Sequence, residues 1–173
     1  KYLKRPIGLL FVTFLILISC NPKGERPGSN TSPDADQTNP ALVIHRYEKA
    51  LFGIPPENLA EGLKKIAPEY KVFLGDHYTS PDAIARLREF VENSQNQEVY
   101  SECSKRFPDL NGLANELNDA FIRLKNEIPG FKVPEIYTYV SGFDFQYPIK
   151  YTDSDLVIAL DMYLGSDYAG YRK

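Results

Sequence analysis

Tryptophan is absent from this chain of 173 residues, and histidine and cysteine appear only twice each. Two histidines, His45 and His77, leave little scope for a histidine-built metal site. A zinc-protease helix needs H-E-x-x-H, which sets two imidazoles one turn apart with a base between them. His45 is followed by "RYEKA" and His77 by "YTSPD", so neither fits. The two cysteines are Cys20 and Cys103, and Cys103 sits in no histidine-containing catalytic pattern. It reads as a half-buried helix cysteine with no partner for a disulfide. G-x-S-x-G, Walker and G-x-G-x-x-G sequences are also missing. Basic clusters are scarce: after the first five residues no more than two Lys or Arg stand together, at Lys64-Lys65, Lys105-Arg106 and Arg172-Lys173. Binding a phosphate backbone requires a basic face, so nucleic acid is not an expected partner. No cofactor is implied.

What is present is asymmetric. With Lys1, Lys4 and Arg5 set aside, 17 basic and 23 acidic side chains remain from Cys20 onward. The opening, "KYLKRPIGLLFVTFLILISC", runs from basic to apolar to a small residue and a cysteine. Ile7 to Ser19 would form a helix about 20 Å long. A bilayer core needs about 30 Å, so the run is short for a span. It fits the apolar core of a secretory signal, with the three cations held on the cytoplasmic side. The alternatives are a buried core helix and an uncleaved anchor. The ending Leu17-Ile18-Ser19-Cys20 resembles the lipobox of bacterial lipoproteins. That resemblance implies a diacylglycerol thioether on Cys20 and cleavage just before it. A thiol is the side chain nucleophilic enough for the step, and two or more acyl chains anchor firmly where one is marginal.

Asn21 to Asn39, "NPKGERPGSNTSPDADQTN", holds three Pro and two Gly and no large apolar residue. Such a tract cannot bury surface and reads as a tether. The expected organisation is therefore a signal over 1–19, a lipidated cysteine and tether over 20–40, and a folded body over 41–173.

In the body, Val43, Ile44, Tyr47, Leu51 and Phe52 fall at helical spacing, and Gly53 with Pro55-Pro56 ends that helix. Further helices follow around Leu59–Ile66 and from Pro81, where Ser80 is the expected N-cap. Another covers 97–105, and a longer one follows Asp109, carrying Leu113, Leu117, Phe121 and Leu124 on one face. The period then changes to two in "EIYTYVS" and "FQYPIKY", while "LVIALDMYL" is apolar on both faces until Asp161. The expected class is α+β: N-terminal helices, then a three-stranded antiparallel β-meander. Pro148 lacks an N–H and predicts a free edge on the second strand. The third strand is expected to be covered on both faces, and the helices read from this sequence supply one of those covers. Asp144, Asp155, Asp161 and Asp167 offer carboxylates for acid–base work or a cation, or for turn and strand-end roles. Asp153 suits the hairpin turn. The tyrosines read either as strand packing or as a row that binds sugars or peptides.

The lipobox, "IHRYEKALF", "YTYVSGFDFQYPI" and "LVIALDMYLGSDYAGY" together resemble the gliding-motility lipoprotein GldB family of Bacteroidetes-type bacteria. The most specific positions are Tyr137, Tyr139, Ser141, Gly142, Phe143 and Pro148 in one strand motif. In the other they are Asp161, Tyr163, Leu164, Gly165 and Asp167. The resemblance implies an exported, membrane-anchored lipoprotein of the cell envelope, with envelope or motility proteins as partners and contacts rather than catalysis as its mode of action. It also implies that family chains continue past Tyr171 into a helical half, so that the C-terminal helical part is missing here. One alternative is a metallopeptidase-like hydrolase with its metal helix in that half. The other is a cell-wall or glycan-binding module.

Overall fold

The computed structural model describes residues 42–152 and 154–172. Strand β1 (Ile44–Arg46) leads directly into helix α1 (Tyr47–Phe52). Helices α2 (Leu59–Ile66), α3 (Lys71–Leu74), α4 (Pro81–Glu92), α5 (Ser94–Arg106) and α6 (Asn111–Glu127) follow. The chain then forms β2 (Glu135–Tyr139), β3 (Ile149–Tyr151) and β4 (Asp155–Ala159), and closes with 3-10 turns at Leu160–Met162 and Ala169–Arg172. The signal, Cys20, the tether and Asp153 lie outside the described residues. Among the described residues no helix is long and apolar enough to cross a membrane.

Local signals set several helix starts. The Ser80 side chain accepts from Ala83 N–H at 3.2 Å, with Pro81 in the first turn. Asn93 does the same for α5, accepting from Gln95 and Asn96 N–H. Asp109 Oδ1 accepts from Asn111 N–H at the entrance to α6. One expectation fails here: Ile44–Arg46 is a strand, not the first turn of a helix. It pairs in parallel with β2, Ile44 opposite Ile136 and Arg46 opposite Thr138. Three residues are too few to reveal a period of two, so the partner strand decided the conformation.

The sheet also departs from the expected antiparallel meander. Among the described residues it has four strands, in the order β1-β2-β4-β3. Strands β1, β2 and β4 are parallel, and only β3 runs antiparallel, against β4. The reason is positional. Strand β4 is apolar on both sides, with Val157, Ile158 and Ala159 buried, so it takes an interior place between β2 and β3. All three residues of β3 are exposed, which suits an edge. The linker from β2 to β3, residues 140–148, is too long for a tight hairpin and carries the chain past β4.

Pro148 needs a correction too. Strand β3 is an edge strand, but the carbonyl of Pro148 accepts from Ala159 N–H at 2.9 Å. In an antiparallel ladder a residue's N–H and C=O point the same way. The missing N–H therefore faces β4, not the free edge.

Helices cover both faces of the sheet. On one, Ile136, Ile158 and Leu156 pack against Leu113, Leu117, Phe121 and Leu124 of α6. On the other, Tyr137 and Tyr139 pack on the cluster of Tyr47, Leu51, Leu59, Leu63, Tyr70 and Val91. Leu59 and Leu63 are fully buried, each contributing about 1.5–3 kcal/mol of transfer free energy. A third cluster gathers Val99 and Cys103 of α5 with Val140, Leu160 and Leu164, beneath the ends of β2 and β4.

Candidate functional site

Parallel strands β2 and β4 end side by side, and their exit loops meet. In sheets of this kind the carboxyl ends of the strands are the usual place for a site. Asp161 stands immediately after β4 and is 0% exposed. Its carboxylate is surrounded by the loop that leaves β2. Ser141 N–H donates to Oδ1 at 2.9 Å. The Ser141 hydroxyl and Phe143 N–H both donate to Oδ2, each at 2.8 Å. The same hydroxyl oxygen accepts from Asp144 N–H at 2.9 Å.

These bonds hold an uncommon backbone. Gly142 has φ 71° and Phe143 φ 67°. The left-handed region costs a residue with a Cβ about 1–2 kcal/mol. Charge-assisted bonds from backbone N–H groups to a carboxylate offset a cost of that size. A Cβ on Gly142 would meet Asn96 Oδ1 at 3.2 Å and the Phe90 ring at 3.5 Å, so both conformation and space favour glycine.

The second loop is tied by Tyr171. Its hydroxyl donates to the Asp161 carbonyl at 2.5 Å and accepts from Leu164 N–H at 2.9 Å. Burial raises the Tyr171 hydroxyl above its ordinary pKa. The Phe143 ring stands near those of Phe145, Tyr168 and Tyr171. Gly165, at φ 107°, turns the chain where an added Cβ would come within 2.8 Å of Asp167 Oδ1.

The structure thus unites Ser141, Gly142, Phe143 and Asp161, with Leu164, Gly165 and Asp167 in the adjoining loop. Tyr163 lies on the outer side, about half exposed. Tyr137 and Tyr139 do not join them: they point to the helix-covered face, where Tyr137 stacks on His45 at 5.1 Å and Tyr139 tilts against Phe73. Among the described residues the Tyr139 hydroxyl is buried without a hydrogen-bond partner. Lys150 Nζ lies 5.6 Å from the Tyr139 ring centre and 5.5 Å from that of Tyr147, and 3.7 Å from Asp144. Asp155 accepts from the Ser154 hydroxyl in the turn before β4.

A second buried carboxylate, Glu48, was not among the candidates. It is 1% exposed, accepts from the Thr138 hydroxyl at 2.9 Å, and pairs with Arg46 Nε at 2.6 Å. Arg46 also donates to the carbonyls of Phe107 and Pro108. The available signal was an acid lying between Tyr47 and Leu51 on a short apolar helix. Tyr171 was also missed as an individual residue, although it closes one of the motifs.

The remaining candidates have ordinary surroundings. His45 Nδ1 lies 2.8 Å from Glu69 and Nε2 3.3 Å from Glu135. Cys103 is buried and free, and burial, the larger cause, together with the Asp161 charge pushes its thiol up to about 12. A thiol so placed is a poor nucleophile. Among the described residues no group of three or more His, Cys, Asp or Glu side chains could hold a metal ion.

Comparison with known proteins returns one informative result. Neither a curated protein nor a solved structure matches the chain. The family model described as gliding motility protein GldB matches residues 28–173, spanning both loops, their clamp and the whole sheet, and the chain therefore belongs to the GldB family of gliding motility proteins.

Proposed function

We propose that this chain is a lipid-anchored protein of the bacterial cell envelope that serves gliding motility through protein contacts rather than catalysis. Residues 1–19 direct export, Cys20 carries the lipid, and the tract to residue 40 holds the body away from the membrane surface. The observation that carries the contact reading is the clamp at the ends of β2 and β4. The Asp161 oxygens are occupied by loop donors instead of facing solvent. The loop they hold presents Phe145, 61% exposed, and Tyr163 stands out from the adjoining one. Rigidly held, exposed aromatic side chains are what a protein partner binds most strongly.

Two measurements test this reading. Cys20→Ala is expected to move the protein from the membrane to the soluble fraction. Retention in the membrane after a salt wash would refute the anchor. Phe145→Ala combined with Tyr163→Ala is expected to stop gliding at unchanged protein level. Normal gliding by that variant would remove the contact surface.

A further inference from the structure

Lys150 of β3 donates nothing to the Asp161 carboxylate, yet its side chain spans a strand. In the ladder it stands opposite Val157 of β4, and Tyr139 of β2 stands opposite Ala159 of the same strand. Val157 and Ala159 are two positions apart and share a face. Strand β4 therefore lies between Lys150 and Tyr139. Even so, Lys150 Nζ comes within 5.6 Å of the Tyr139 ring centre, so its stem crosses β4. The residue opposite Tyr139 is alanine, which leaves that crossing room. Lysine stems commonly lie over apolar surface in this way while the charged head stays in water. The ammonium ends beside a second ring, Tyr147 at 5.5 Å, and 3.7 Å from Asp144 Oδ2.

Asp144 and Tyr147 are the two ends of the turn that carries Phe145. Asp144 N–H donates to the Ser141 hydroxyl oxygen, and that hydroxyl donates to Asp161. The Asp144 carboxylate accepts from Gln146 N–H at 3.2 Å, and its carbonyl accepts from Tyr147 N–H at 3.4 Å. The clamp thus holds the turn at its first residue. Beyond it, Phe145 and Tyr147 are 61% and 50% exposed, and Lys150 ties this outer part back to the sheet. The ion pair alone contributes little, because both groups are partly in water. The two rings about one ammonium add attraction and direction. We propose that Lys150 is a positioning residue: it holds the 144–147 turn against Tyr139 and so sets the direction in which Phe145 is presented. This rests on the reading that Phe145 meets a partner protein. Loss of the charge frees the turn and leaves the packing of Tyr139 against Phe73 in place.

The chain has no tryptophan, so Phe145→Trp places a single fluorescent reporter on the turn. In the full chain carrying it, purified in detergent, Lys150→Met keeps the length of the stem and removes the charge. Time-resolved anisotropy is expected to show the fast motion of the reporter enlarged at least about twofold, with helix content and thermal melting unchanged. Lys150→Arg keeps the charge and is expected to match the parent. No enlargement in Lys150→Met, equal enlargement in Lys150→Arg, or a drop in melting that accompanies the motion would each overturn the proposal. In cells with Phe145 intact, Lys150→Met is expected to slow gliding at unchanged protein level, and Lys150→Arg to glide normally. Normal gliding by Lys150→Met despite a loosened reporter would overturn the positioning role. The contact reading is decided separately by the Phe145→Ala and Tyr163→Ala double variant. Normal gliding there would remove the purpose given to Lys150, but not the hold that the fluorescence reports.

Discussion

Two buried carboxylates sit at different places in the sheet and are neutralised in different ways. Glu48 is matched by a full charge, the Arg46 guanidinium, and by the Thr138 hydroxyl. Asp161 is matched by dipoles alone: two backbone N–H groups and the Ser141 hydroxyl. The first arrangement links β1, α1 and β2, and through Arg46 reaches the turn between α5 and α6. It stabilises how elements pack. The second fixes the shape of one loop, including a phenylalanine in the left-handed region. Losing the Glu48 partner leaves a charge in the interior; losing the Asp161 carboxylate releases a conformation.

The largest expected effect follows from that difference. Glu48→Ala leaves the Arg46 guanidinium buried without its counter-charge, and should destabilise the body by about 3–5 kcal/mol. Urea denaturation followed by circular dichroism measures this. Removing both charges, as Glu48→Leu with Arg46→Met, should return much of the loss, since matched apolar replacements avoid the isolated charge. A double variant as unstable as Glu48→Ala would disprove the charge explanation.

Asp161→Ala should cost about 2–4 kcal/mol, because it strands the Ser141 and Phe143 N–H groups. Asp161→Asn keeps one acceptor and should lose about half as much. The distinguishing readout is local: amide exchange should quicken at Ser141 and Phe143 while α2 stays protected. Uniform acceleration would mean that Asp161 supports the whole fold and not one loop. Tyr171→Phe is gentler, removing the bonds to Asp161 and Leu164 and keeping the ring, for about 1 kcal/mol.

The smallest effect is a titration. Burial raises the hydroxyl pKa of Tyr47 and Tyr70 on the Glu48 side, and of Tyr168 and Tyr171 on the Asp161 side. Above about pH 10 the unfolded chain releases tyrosine protons that the folded chain keeps. The unfolded state then binds fewer protons, so stability falls as pH rises through that range. Tyrosinate absorbance should appear together with loss of helix signal for the buried pair, Tyr47 and Tyr70. Full ionisation with the helices intact would contradict this.

Legibility in the sequence varied with how local the cause was. The Ser80 cap, the α6 stripe and the double-sided apolar character of β4 were readable, because neighbours in sequence produce them. The β1 strand was not, since its three residues become a strand only by lying beside Ile136–Thr138. Strand order was equally hidden: an alternating pattern says which residues face inward, not which strand lies alongside. The motif residues of the site came from a family resemblance. Their division into the clamp of Ser141, Phe143 and Asp161 and the packed pair Tyr137 and Tyr139 came from the fold.

By itself the sequence determined the α+β class, most helix limits, the acidic character of the body and membership of the GldB family. The first three depend on composition, short-range periodicity and turn residues, which act over a few positions; the family rests on the match over residues 28–173. The tertiary structure alone decided that β4 separates β2 from β3, that Pro148 turns its missing N–H toward β4, and that Asp161 closes on a loop twenty residues before it. Each of these depends on which distant groups come within hydrogen-bonding distance, and only the packed sheet and helices set that.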